Sequence, residues 1–215
     1  MIENNKEFTG AVDGVYVVRN AVVGNRPDMI PREKSYLDFL NKVGDSTDNI
    51  KIIPNFIGEE EIKDLMSQVE VTKVTSFVSQ KDAKGEPTNW MHTYMGIHDR
   101  FSIIDRVTKE IKDAYGFDNI KAKEPHLHVV RWDEGSALKL HVDDLGYVTD
   151  NNIATLIYLN DDYEGGEISF EQHDLSVKPK TGTLLIFPGN LNYAHEVKEV
   201  LSGKRYTAPI WFTIV

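Results

Sequence analysis

The sequence predicts an α+β, mainly β fold: a double-stranded β-helix, or jelly roll, core with supporting N-terminal helices. Three observations point there. From residue 125 onward, eight short apolar segments are separated by the turn-forming stretches DEG, DDYEGG, KPKTG and LSG, the spacing of a sandwich or barrel. Ahead of them lie two runs with helical spacing, Ile62, Leu65, Met66, Val69 and Ile103, Ile104, Val107, Ile111. A chain of 215 residues, 40% of them hydrophobic, is long enough for one well-buried core, and no internal repeat divides it.

Residues 1–50 read as an N-terminal extension that wraps the main domain, residues 51–215. Within the extension, GVYVVRN suits a short strand, GNRPDMIPRE is broken by two prolines, and EKSYLDFLNKVG has helical spacing at Tyr36, Leu37, Leu40 and Val43 before Gly44 stops it. In IIPNFIGEEEIKDLMSQVE a strand gives way after Gly58 to a helix whose acidic first turn suits the helix dipole. The second helix, near 101–115, ends at Gly116, and both helices should pack on one side of a sheet. Between them, residues 79–100 are polar yet hold Trp90, His92, Tyr94 and His98. They suit either an exposed loop or hairpin with aromatics tucked beneath it, or a cover over a binding site. The eight strands then follow from PHLHVVRW to RYTAPIWFTIV.

Composition removes whole classes of function. With no cysteine, disulfides, zinc–thiolate sites and a thiol nucleophile are excluded, and any metal must use His, Asp or Glu. Twenty-four basic residues against 34 acidic ones give a net charge of −10, which disfavours a nucleic-acid partner. The opening MIENNKEFTG lacks a basic start and an apolar core, and no run approaches a membrane span, so a cytoplasmic setting without a membrane partner is expected.

The stretch SALKLHVDDLG places His141 and Asp143 two positions apart in a strand, hence side by side on one face. A structural histidine beside a solvated aspartate is the competing account. A second histidine, His195, follows 54 residues later in another strand, and two histidines with one carboxylate form the facial set that holds Fe(II) with open positions. Asp144 and Glu196, one residue off each ligand, should point away. Ten residues past His195 comes Arg205, whose planar fork suits a carboxylate if it faces the interior; a one-residue slip in register would put Lys204 there instead.

HVD at 141–143, TLIYLNDDYEGGEISF at 155–170, VKPKTGTLLIFPG at 177–189 and HEVKEVLSGKRYTAPIWF at 195–212 resemble the 2-oxoglutarate- and Fe(II)-dependent dioxygenases of the prolyl 4-hydroxylase type. IIPNFIGEEEIKDLM resembles the start of that catalytic domain, so the likeness runs over roughly residues 51–215. The resemblance implies that His141, Asp143 and His195 bind Fe(2+), and that Arg205 holds the distal carboxylate of 2-oxoglutarate. It implies O2 as cosubstrate, L-ascorbate as a further cofactor, and hydroxylation of a C–H bond with release of succinate and CO2. Trp132 stands where the family commonly has a tyrosine that helps hold the cosubstrate; its indole N–H can donate but not accept, so 2-oxoglutarate binding and plain core packing both stay open. Pro209 stands where relatives often offer a hydroxyl. The expected substrate is a prolyl residue in a peptide or protein, docked on an aromatic-lined groove by Trp90, Tyr94 and Trp211. The alternatives are another amino-acid side chain or a small molecule and, outside enzymes, a catalytically inert cupin-like metal-binding module.

Overall fold

The computed structural model describes residues 9–12, 15–18, 34–81, 87–144 and 151–215. A hairpin of β1 (Thr9–Val12) and β2 (Val15–Val18) precedes helix α1 (Lys34–Val43) and a 3-10 turn at Thr47–Asn49. The proline-broken stretch at 24–33 lies outside the described residues. Phe39 and Val43 of α1 enter the core, with Leu40 packed against it, and Phe39 packs edge-on against Tyr115 at 5.9 Å and Phe117 at 5.4 Å. Helix α2 (Glu59–Val69) starts where Glu61 accepts a hydrogen bond from the Gly58 N–H, and its acidic first turn matches the positive end of the dipole. Helix α3 (Ile103–Tyr115) begins where the Asp99 carboxylate accepts from the N–H groups of Ile103 and Ile104. It stops at Gly116, whose φ of 66° lets its own N–H reach the Lys112 carbonyl. Ile103, Val107 and Ile111 are fully buried, each worth about 1.5–3 kcal/mol over an exposed side chain. None of the described helices is long and apolar enough to cross a membrane.

The strands form two facing antiparallel sheets, the double-stranded β-helix. In the large sheet β3 (Lys51–Ile53), β13 (Leu184–Pro188), β9 (Ile153–Tyr158), β16 (Arg205–Ile214), β7 (Leu127–Trp132), β5 (Pro87–Ile97) and β4 (Val74–Lys81) lie in that order, and β6 (Ile120–Ala122) pairs with β16. The small sheet runs β12 (Leu175–Val177), β11 (Ile168–Phe170), β14 (His195–Val197), β8 (Leu138–His141). A short pair, β10 (Glu164–Gly165) with β15 (Val200–Ser202), stands apart. Residues 87–97 are a hairpin arm, since β5 has hydrogen-bonded partners on both sides, β4 and β7. Residues 82–86 lie outside the described residues.

Alternation along the strands decides what faces the space between the sheets. Met91, Val130 and Trp132 turn inward and cluster with Leu138, Val197 and Val200. Tyr94 and Val129 turn the other way, into the main core with Leu65, Val107 and Ile111. Pro209 sits in a stretch of β16, residues 208–211, that pairs with neither β7 nor β6 on that side, where a missing N–H costs the ladder least.

Candidate metal centre

β8 ends and β14 begins on a paired position, His141 opposite His195, with an irregularity in the ladder between His195 and Val197. Asp143 follows two residues beyond β8. The ligand atoms of His141, Asp143 and His195 all lie within 4.8 Å of one another. The two imidazoles are 4.3 Å apart by centroid, and His195 Nε2 is 3.8 Å from an Asp143 oxygen. Each Nδ1 faces a backbone carbonyl: His141 that of Lys139 at 2.8 Å, His195 that of Tyr193 at 3.1 Å. A carbonyl only accepts, so Nδ1 carries the proton and Nε2 keeps its lone pair, the state a metal requires. The donor set, two nitrogens and one carboxylate on converging elements, fits a divalent iron.

His195 is wedged between Phe170 and Phe187, at 5.5 Å and 4.7 Å. Burial pushes it down to about 4, opposed by Asp143 and assisted by His141. It is therefore neutral and ligand-ready at physiological pH. The same shift links folding to pH. As pH falls below the ordinary value of 6.5, the unfolded chain takes up this proton first, so the stabilisation is full above 6.5 and is lost as pH falls through about 4. The shift corresponds to about 3 kcal/mol. Urea unfolding of the metal-free protein should show that decline, and His195→Gln should flatten it.

Asp143 is held by its neighbours. The Asp144 N–H donates to the Gly189 carbonyl, and its carboxylate accepts from Asn152, whose own side-chain oxygen takes the Ile214 N–H. Asp144, past the end of β8, is drawn away by this tether, and Glu196 in β14 pairs with Lys198 on the face away from His195, so neither joins the centre. A Cβ on Gly189 would sit 2.0 Å from the Asn151 carbonyl oxygen and 3.4 Å from Asp143 Cβ. Gly189→Ala should therefore destabilise by about 1–3 kcal/mol and weaken metal binding by shifting Asp143, measured by thermal melts and metal titration.

Arg205 lies across from Trp132 in the ladder and is completely buried, whereas Lys204 is exposed. Its guanidinium rests over the rings of Trp132 at 4.9 Å and Tyr158 at 5.2 Å, with one long contact from Nη2 to the Tyr158 hydroxyl at 3.4 Å. Among the described residues Nε and Nη1 have no hydrogen-bond partner. Burial raises the Tyr158 phenol, and pushes that of Tyr163 up to about 12 against the pull of the guanidinium, so neither tyrosine supplies an anion at neutral pH. A buried cation with unmatched donors is costly until a carboxylate arrives. Trp132 meets this site with its ring face, while its indole N–H points to Thr207 Oγ1 at 3.4 Å.

The aromatic residues expected along a groove divide between the two faces of the large sheet. Met91 is the residue opposite Trp132, so Trp90 and Tyr94 point to the far face. Tyr94 is buried in the main core and accepts a hydrogen bond from Arg131; Trp90 is exposed. The structure does not bring these two to the triad, and the reason is register. Trp211 shares the Arg205 face and lies in one cross-strand row with Ala154 and Phe187, the ring that packs on His195. Sequence reasoning missed Tyr158, Tyr163, Phe170 and Phe187, whose roles come only from cross-strand adjacency.

Residues 127–213 match the model of the 2OG-Fe(II) oxygenase superfamily. Over 71 residues the chain is 39% identical to human prolyl 3-hydroxylase 2, covering 31% of this chain and 10% of that protein. Over 130 residues it is 32% identical to the prolyl 4-hydroxylase subunit alpha-1 of Gallus gallus, covering 51% of this chain and 24% of that one. The chain thus spans no more than about a quarter of the length of these relatives. A 2OG-Fe(II) oxygenase-family oxidoreductase from Burkholderia pseudomallei has the same fold, with a TM-score of 0.63 at 16% identity over 85% of this chain and 92% of that one.

Proposed function

We propose, from the match of residues 127–213 to the 2OG-Fe(II) oxygenase superfamily, that this chain hydroxylates a C–H bond, that of a prolyl residue in a peptide or protein, using Fe(2+), 2-oxoglutarate and O2. The observation that carries the proposal is Arg205, a buried guanidinium with unmatched donors, in a fold that also gathers His141, Asp143 and His195. In this reading the triad holds the iron by one face. Bound there, iron supplies the oxygen activation that splits 2-oxoglutarate into succinate and CO2 and places one oxygen on the substrate.

The protein's own part is positional. Arg205 takes the far carboxylate of 2-oxoglutarate in two-point fashion, and the rings of Trp132 and Tyr158 fix the guanidinium plane and keep water from it. The Nδ1 contacts of both histidines fix their tautomers, and Phe170 and Phe187 exclude water from His195. Similarity to two prolyl hydroxylases supports the peptide substrate. L-ascorbate as a further cofactor and a cytoplasmic setting belong to the same proposal; a chain without cysteine needs no oxidising compartment.

The test is succinate release with Fe(II), ascorbate and a panel of proline-containing peptides, amino acids and small molecules, with mass spectrometry for a gain of one oxygen on proline. Trp211→Ala should weaken the stimulation by peptide, whereas Trp90→Ala, on the far face, should leave it unchanged. Stimulation by a free amino acid or small molecule alone would discard the peptide substrate and keep the oxygenase. Absence of succinate under all conditions would leave an inert metal-binding module.

A further inference from the structure

Two residues before His195, Tyr193 is the centre of a polar network that none of the roles above explains. We propose that Tyr193 is a positioning residue for the metal: its carbonyl sets the His195 ring, and the turn at residues 46–49 sets Tyr193. The inference rests on the metal reading above and deepens it, by drawing residues N-terminal to the jelly roll into the metal centre.

The links are direct. His195 Nδ1 donates to the Tyr193 carbonyl at 3.1 Å, the contact that determines both the tautomer and the rotation of the ring. Tyr193 ends a single 3-10 turn, Leu191–Tyr193, too short to fix itself. Its side chain is completely buried, and its hydroxyl donates to the Ser46 carbonyl at 3.0 Å and accepts from the Asn49 amide at 2.9 Å. That amide also reaches the Val43 carbonyl at 2.7 Å, and the Asn49 carbonyl accepts from Tyr115 at 2.6 Å, which anchors the turn to α1 and α3.

The ring is gripped as well. His173 stacks on it at 4.7 Å and 17°. Its Nε2 faces the Asn192 carbonyl at 2.9 Å and so carries the proton, leaving Nδ1 to accept from the Thr47 hydroxyl at 3.1 Å. Ser46, Thr47 and Asn49 therefore control the hydroxyl and, through His173, the plane of one tyrosine. A shift of Tyr193 moves the acceptor of His195 Nδ1, and the Nε2 lone pair swings off the common point with it. A tyrosine that merely filled the core would need one partner for its hydroxyl; here the hydroxyl has both a donor and an acceptor partner in the turn at residues 46–49, and the ring is held through His173 by the same turn.

The experiment is an anaerobic Co(II) titration of the full chain, well below its unfolding temperature, following the ligand-field absorption that reports coordination geometry. The parent should bind, and His195→Ala should not. Tyr193→Phe and Asn49→Ala should bind about tenfold more weakly, and Thr47→Val about threefold, with an altered Co(II) spectrum and unchanged far-ultraviolet circular dichroism. Folded variants with the parent's affinity and spectrum would overturn the inference while leaving the metal site standing. Parent binding unaffected by His195→Ala would instead overturn the metal reading, and this inference with it. If Tyr193→Phe and Asn49→Ala do not fold, Thr47→Val, which removes one exposed hydroxyl, decides between the same outcomes.

Discussion

His195→Ala should bind Fe(II) more than about a hundredfold more weakly than the parent and release no succinate. Outer partners of a ligating histidine are already worth about 10- to 100-fold, and here the ligand itself is removed. His141→Ala and Asp143→Ala should behave alike, because the three ligand atoms converge within 4.8 Å. Anaerobic iron titration with circular dichroism on the same samples separates lost ligation from lost fold. An unchanged iron affinity in His195→Ala would remove the triad from the mechanism.

The second large effect belongs to Arg205. Arg205→Met keeps most of the side-chain volume and removes the charge. It should raise the 2-oxoglutarate requirement by roughly 30-fold or more, the equivalent of about 2 to 5 kcal/mol for one partner of a buried charge pair. Lys204→Ala should change it little, because Lys204 is solvent-exposed. The sign of the stability effect is informative too. In the ligand-free protein the guanidinium lacks partners at Nε and Nη1, so its removal should not lower, and should tend to raise, the melting temperature. Binding would thus be lost with no loss of folding, which distinguishes a cosubstrate anchor from a structural ion.

The parts of this picture that were legible in the sequence are those governed by local period. Strand alternation pointed to His141 and Asp143 side by side, and the structure brings them together although Asp143 lies two residues past the end of β8; it also turned Arg205 inward with Lys204 outward. Helical spacing found α2 and α3. What could not be read depends on which strand lies beside which. Tyr158 and Tyr163 flank Arg205 across strands and turns more than forty residues away, and no local pattern announces it. Trp90 and Tyr94 were assigned by aromatic character before any register was available, and register sent them to the far face. In α1 the helical spacing found Val43 and Leu40, which do meet the core, but it left out Phe39, because periodicity alone does not say which ring meets Tyr115 and Phe117. Gly189 gave no signal, since its need is a close approach of residues 151 and 143.

The three convergent ligands stand on or just past strands of the small sheet, whereas Arg205 stands on the large one. A dicarboxylate held at both ends therefore acts as a tie rod between two plates that otherwise meet there through an apolar cluster, Met91, Val130 and Trp132 on one and Leu138 and Val197 on the other. Each end of that rod resists the opening of the sandwich, so its grip adds to the work of prying the plates apart. Slow amide exchange in β8 and β14, the plate that would swing away, becomes a gauge of whether the rod is in place.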